Sequence, residues 1–191
     1  GLALEPLVRS LYAEQSPSPL LGAVKLAGDA RGAPWAVGAL DDRRADGVVV
    51  EYKTASMRVA HEWGDGAEDV PDAYRLQCAW YLWLADAPAA DLGVLIGGEE
   101  FRVYRLTRDL ELENLAREAA ERFWRNHVET KVPPVVDASD SSCDWLKSRR
   151  RQPGKVLAAD PTLVLAVEAW REAKLTAALV EEAEKGKRNA L

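Results

Sequence analysis

Residues 37–53 read V-G-A-L-D-D-R-R-A-D-G-V-V-V-E-Y-K. Two apolar-leaning segments flank a polar turn at 43–47, and Asp46-Gly47 is a strong hairpin signal. The second segment, 48–53, is short and β-branched, as strands are. Side chains alternate across a strand, so Val49, Glu51 and Lys53 share one face while Val48, Val50 and Tyr52 share the other. A carboxylate and an ammonium therefore stand side by side at the end of an apolar strand. The first segment is expected to deliver Asp41 or Asp42 beside them. Two carboxylates about 4 Å apart repel by roughly 4 kcal/mol at an effective dielectric near 20. Such a cluster needs a proton or a divalent cation, and oxygen-only ligands suit Mg²⁺ or Mn²⁺. An isolated Glu-x-Lys is common, however, and taken alone reads better as an ion pair on a half-exposed strand.

Composition bounds the alternatives. A chain of 191 residues, 48% hydrophobic and 29% charged, is ordinary for a globular protein and suits one domain. No apolar run reaches membrane-spanning length, and no secretory signal is visible; the chain starts abruptly, as a fragment would. Cys78 and Cys143 are the only cysteines, so a disulfide framework is not expected and a reducing cytoplasm fits. With His61 and His127 so scattered, they form no zinc-binding spacing either. A net charge of −6 argues against a non-specific nucleic-acid coat. It leaves open a nucleic-acid enzyme with a locally basic groove.

Outward from the central stretch, periodicity predicts a helix over 2–15, with Glu5 at the edge of its apolar face and Pro6 in its first turn. Ser16-Pro17-Ser18-Pro19 ends it. Strands are expected at 20–26 and 35–40, and a loop at 54–69 carrying Arg58 and His61. A helix follows over 69–85, with Gln77 and Tyr81 four apart on one face and Leu76, Trp80 and Trp83 read as core. Two strands, 91–97 and 101–107, are joined through Gly97-Gly98. Asp109 is expected to cap a helix to about His127, with an apolar stripe of Leu112, Leu115, Ala119 and Phe123. Residues 135–154 are polar and irregular. Arg149, Arg150 and Arg151 form the most basic cluster, a candidate phosphate contact or a solvated face. Asp160-Pro161 opens a last helix to about Gly186.

The order of these pieces resembles the YqaJ-type viral recombinase nucleases, relatives of lambda exonuclease in the PD-(D/E)xK superfamily. The matching pieces are Gly1-Leu2-Ala3-Leu4-Glu5-Pro6, Ala39-Leu40-Asp41, Glu51-Tyr52-Lys53-Thr54-Ala55, Trp63, Val70-Pro71 leading to Tyr74, and Gln77-x-x-x-Tyr81. The hairpin around Gly97-Gly98, then Phe123-Trp124, His127 and Pro133-Pro134, continues the likeness to about residue 135.

The resemblance implies an α/β (α+β) restriction-endonuclease-like core, a central mixed sheet flanked by helices. The core would span 1–135, and 136–191 would be an irregular basic segment and a helix packed on the core or on a neighbouring subunit. It implies a DNA nuclease using one or two Mg²⁺ ions, with Mn²⁺ substituting, and a 5′–3′ exonuclease acting on duplex ends in phage recombination. Asp41 and Glu51 would bind metal with the Tyr52 carbonyl, and Glu5 would reach a second ion. Lys53 would activate water, and Gln77 and Tyr81 would hold its neighbourhood and the scissile phosphate. Asp42 is the fallback for Asp41, since a bulge swaps the two. Arg58 and Arg149–Arg151 are DNA-contact candidates. A single-strand annealing protein, a trimeric ring and a bacterial cytoplasm follow from the same likeness. An endonuclease or repair nuclease of the superfamily, or an inactive DNA- or partner-binding derivative, is the alternative. A repair enzyme with an iron–sulfur cluster is disfavoured by having two cysteines.

Overall fold

The computed structural model of the chain describes residues 3–66, 69–137, 139–149 and 161–188. Two units separate by their contacts, Gly1–Pro134 and Val135–Leu191. In the first, helix α1 (Glu5–Gln15) is followed by β1 (Val24–Ala27), β2 (Val37–Leu40), β3 (Asp42–Arg43) and β4 (Val49–Ala55). Helix α2 (Asp72–Ala85), strands β5 (Ala89–Ile96) and β6 (Glu100–Thr107), and helix α3 (Leu110–Phe123) complete it. The second unit holds α4 (Asp140–Arg149) and α5 (Pro161–Arg188).

The main sheet has the order β3-β4-β5-β6 and is mixed. β4 runs parallel to β5, while the outer pairs are antiparallel. A parallel pair needs a long crossover, and α2 supplies it. Every residue of β5 is buried, as a central strand covered on both faces requires. Ala90, Leu92, Val94 and Ile96 pack with Val49 beneath Cys78 and Leu82 of α2. Val50, Tyr52 and Leu95 meet Val8 and Tyr12 of α1 on the opposite face. The two-faced reading of residues 48–53 thus describes a strand between two helical layers.

The hairpin expectation needs correction. β2 does not pair with β4 but with β1, in the register Val24↔Leu40 to Ala27↔Val37. At Asp41 the chain steps from this small sheet into the large one, where only Asp42 and Arg43 pair with Val50 and Val49. The turn itself is as read: Arg44 N–H donates to Val48 O at 2.9 Å, and Gly47 sits at φ +90°. Apolar alternation marks a strand but not its partner, and a close approach decides here. A Cβ on Gly38 would lie 3.1 Å from both Tyr81 and Leu84 of α2, so the bare glycine lets β2 lie on that helix.

Two core expectations also change. Leu76 is exposed, and Trp80 and Trp83 are half-buried; α2 buries Cys78, Ala79, Leu82 and Leu84 instead. The tryptophans join Trp35 and Trp124 in a separate aromatic cluster against Ala33, Ala36 and Leu84. A helix apolar on most of its circumference does not announce which arc meets the sheet. On α3, Asp109 caps as predicted, accepting from the N–H groups of Glu111 and Leu112. Its Leu115 and Phe123 face solvent, however, and the buried residue is Glu113, paired with Arg108 at 2.6 Å. The region 54–69 contains a 3₁₀ turn, Met57–Glu62, and the buried Trp63.

Candidate active site

Strand geometry places Glu51 and Lys53 as next neighbours on the α2 face of β4. Lys53 Nζ donates to Glu51 Oε1 at 2.6 Å, and Gln77 Nε2 donates to the same oxygen at 2.8 Å. Gln77 also donates to Tyr81 Oη at 3.0 Å, one helical turn further along α2. The second oxygen of Glu51, Oε2, is buried and has no hydrogen-bond partner. A buried anionic oxygen left unsatisfied is costly, so this atom is the strongest sign of a missing cationic partner.

Asp41 stands at the step between the two sheets. Its Oδ2 accepts from the Tyr52 backbone N–H at 2.8 Å, which ties it to β4 directly beside Glu51. A cavity of about 380 Å³ is lined by Glu5 and Val8 of α1, by Asp41, by Glu51–Thr54 and by Tyr74. Asp42 is placed elsewhere. It is fully buried, and both its oxygens are occupied by Arg9, Gly22 N–H, Arg43 N–H and the Tyr52 hydroxyl. The successive acids point to opposite sides, and Asp41 is the one that opens onto the cavity.

Burial raises the Glu51 carboxyl above its usual range, and the nearby Asp41 charge adds to this; Lys53 and Gln77 offset only part. For Lys53, burial opposes the charge, but the Glu51 carboxylate more than compensates, and its ammonium is held above the usual lysine range. Both shifts describe a cramped, dehydrated ion pair with one acid too many. Tyr81 is likewise raised by burial, and Cys78, beneath the pair, is pushed up to about 12 by burial, which makes it an inert packing thiol.

The other sequence candidates fall in different places. Gln77 donates to Glu51 directly and Tyr81 reaches it only through Gln77, and neither lines the cavity. Arg58 is exposed on the 3₁₀ turn after β4 and is not part of the cavity wall. Arg149 closes α4, and Arg150 and Arg151 lie outside the described residues. Tyr74, a piece of the resemblance to which the sequence assigns no role, lines the cavity. Lys53 Nζ lies 5.1 Å from its ring centroid, and the ring stacks on Trp63. It stands three residues before Gln77 on α2, on the same side of the helix.

The donor set fits a hard divalent cation. Asp41 and Glu51 offer carboxylate oxygens, one of them orphaned, and Glu5 opens on the same cavity. Among the described residues no three Asp, Glu, His or Cys side chains already form a complete ligand group, so Glu5 has to be brought in from α1. A larger cavity, about 460 Å³ between α2 and the start of α3, lacks this chemistry. Its Arg108 is engaged by Glu113 and Asp86, and its Asp109 caps α3.

Residues 1–88 match the family model described as a YqaJ-like viral recombinase domain. The chain is 33% identical over 103 residues to the uncharacterized protein YqaJ of Bacillus subtilis (strain 168), covering 53% of this chain and 32% of that protein. The chain thus spans about a third of that curated relative's length. The fold is similar to the crystal structure of an alkaline exonuclease from Laribacter hongkongensis, with a TM-score of 0.55 and 13% identity, over 78% of this chain and 71% of that one. The resemblance drawn from Glu5-Pro6 through Gln77-x-x-x-Tyr81 lies within the matched residues, while the pieces from Gly97 to Pro134 lie beyond them.

Proposed function

From residues 1–88 as a YqaJ-like viral recombinase domain, we propose that this chain is a divalent-metal-dependent DNA nuclease, a 5′–3′ exonuclease acting on duplex ends. The observation that supports this most is the orphaned Oε2 of Glu51, opposite Asp41 and beside Lys53. Asp41, Glu51 and the Tyr52 carbonyl would hold one Mg²⁺ or Mn²⁺, and Glu5 a second. Such an ion supplies positive charge at the phosphate and lowers the pKa of bound water.

The chain's own residues do the rest. Gln77 fixes the Glu51 carboxylate in its rotamer, and Tyr81 fixes Gln77. Lys53 holds its proton on Nζ, beside Glu51, where it would donate to a phosphate oxygen and orient the attacking water. The Tyr74 ring steers that ammonium from one side. Arg58 lies on the exposed turn following β4 and would meet the DNA backbone. A single-strand annealing recombinase as partner, a trimeric assembly and a bacterial cytoplasm belong to the same reading. Among the described residues no helix is long and apolar enough to cross a membrane.

The test is digestion of linear duplex labelled at the 5′ or the 3′ end, beside closed circular duplex, in Mg²⁺. Early loss of the 5′ label with intact circles is expected, and Glu51→Ala abolishes it. Cleaved circles would make the enzyme an endonuclease. Mn²⁺ binding without any digestion would leave a DNA-binding derivative.

A further inference from the structure

The second acid of the Asp41-Asp42 pair has no place in that chemistry, yet it is among the most completely buried polar groups in the chain. Its Oδ2 accepts from Arg9 Nε at 2.7 Å and from the Tyr52 hydroxyl at 3.2 Å. Its Oδ1 accepts from Gly22 N–H at 2.6 Å and Arg43 N–H at 2.9 Å. One carboxylate therefore ties together α1, the approach to β1, β3 and β4. Arg9 is itself exposed, so solvent screens the attraction while Asp42 bears the cost of dehydration, and the pair contributes little net stability. What a saturated carboxylate does impose is register: only one position of α1 along the sheet satisfies it.

That register matters because of what α1 carries. Arg9 lies one helical turn after Glu5, on the same side of the helix. Val8 and Tyr12, also one turn apart, press α1 onto Val50, Tyr52 and Leu95, and the Tyr12 hydroxyl donates to the buried Asp91 at 2.5 Å. The apolar contact and the Tyr12 tether hold the middle and far end of α1. Arg9–Asp42 is the polar tether nearest to Glu5. It also grips the ring of Tyr52, whose backbone N–H holds Asp41.

We infer that Arg9 and Asp42 are positioning residues, a lock anchored on the buried Asp42 that sets the reach of Glu5 toward the cation that Asp41 and Glu51 would hold. This rests on the nuclease reading, and its test separates the two. Mn²⁺ binding to the protein without DNA is measured by calorimetry for the wild type, Arg9→Ala, Glu5→Gln and the double variant, each shown folded by its melting curve. Arg9→Ala is expected to weaken Mn²⁺ about tenfold, the scale of losing an outer support of a metal ligand. Glu5→Gln does the same, and the double variant binds no more weakly than either single one. A general loosening of the fold would instead persist in the Glu5→Gln background. Wild-type-like binding by Arg9→Ala, or losses that multiply in the double variant, would overturn the lock. Should Arg9→Ala fail to fold, Asp42→Asn, which keeps the shape and loses the charge, takes its place in the same cycle. Unchanged binding by Glu5→Gln overturns the lock but leaves the nuclease reading standing, provided Glu51→Gln weakens binding about 100-fold. A wild type that binds no Mn²⁺ removes both.

Discussion

Replacing Glu51 by Gln probes the orphaned oxygen directly. The amide keeps the volume, and its oxygen still accepts from Lys53 and Gln77, but the charge is gone. A unit negative charge about 4 Å from a +2 ion, at an effective dielectric near 20, is worth roughly 8 kcal/mol before dehydration is counted. Glu51 is already dehydrated by the fold, so much of its cost is met before the ion arrives. Keeping only a third of that figure still leaves about 2.7 kcal/mol, a factor of about 100 in affinity. At Mn²⁺ one hundred times the wild-type Kd, binding stabilises the wild type by about 2.7 kcal/mol, and the variant by about 0.4 kcal/mol. For a chain near this size, about 3 °C per kcal/mol converts these to Tm rises of about 8 °C and about 1 °C. Thermal melts over a Mn²⁺ series read both. A variant that rises as far as the wild type, or a wild type that does not rise, refutes the assignment of Glu51 as a cation ligand.

Lys53→Ala should reduce duplex digestion by about 100-fold or more while leaving Mn²⁺ binding intact or tighter, since it frees Glu51 Oε1; lost digestion together with lost Mn²⁺ binding would make Lys53 structural. Cation affinity should fall on acidification at a pH above the ordinary glutamate value of about 4.3, because burial holds the Glu51 carboxyl high. Without metal the sign is reversed: a raised carboxyl pKa means Glu51 contributes most stability below its unfolded pKa and loses it as pH rises through the folded one. The Mn²⁺-induced rise in Tm should therefore grow from acidic to neutral pH, and Glu51→Gln should flatten that dependence. Gly38→Val should push against Tyr81 and Leu84, costing about 1–3 kcal/mol by chemical denaturation and lowering digestion through Tyr81. Unaltered stability would show that β2 yields freely.

Much of the candidate site was legible because its pairs are local. Glu51 and Lys53 are two apart on a strand, and Gln77 and Tyr81 are four apart on a helix, so their adjacency follows from the repeat of each element. The Asp46-Gly47 turn, the Asp109 cap and helix α2 were readable for the same reason. Tyr74 shares that helix but has no role legible in the sequence, because helical spacing does not tell that its ring meets Lys53 of β4. The exposed stripe of α3 escaped for the converse reason: its helix keeps Glu113 inside because Arg108 satisfies it there.

The sequence by itself determined most of the elements and their order, though not α4 in the stretch read as irregular, and the acid–lysine pair on β4. Only the tertiary structure decided that β2 leaves the central hairpin for β1, that Asp41 opens onto the cavity while Asp42 is locked away, and that Glu5 shares that cavity across the sheet edge. Backbone repeat sets distances of a few residues. Which strand, which face and which acid meet is settled by packing and charge satisfaction between segments far apart in the chain, where a single slip turns every side chain to the other side.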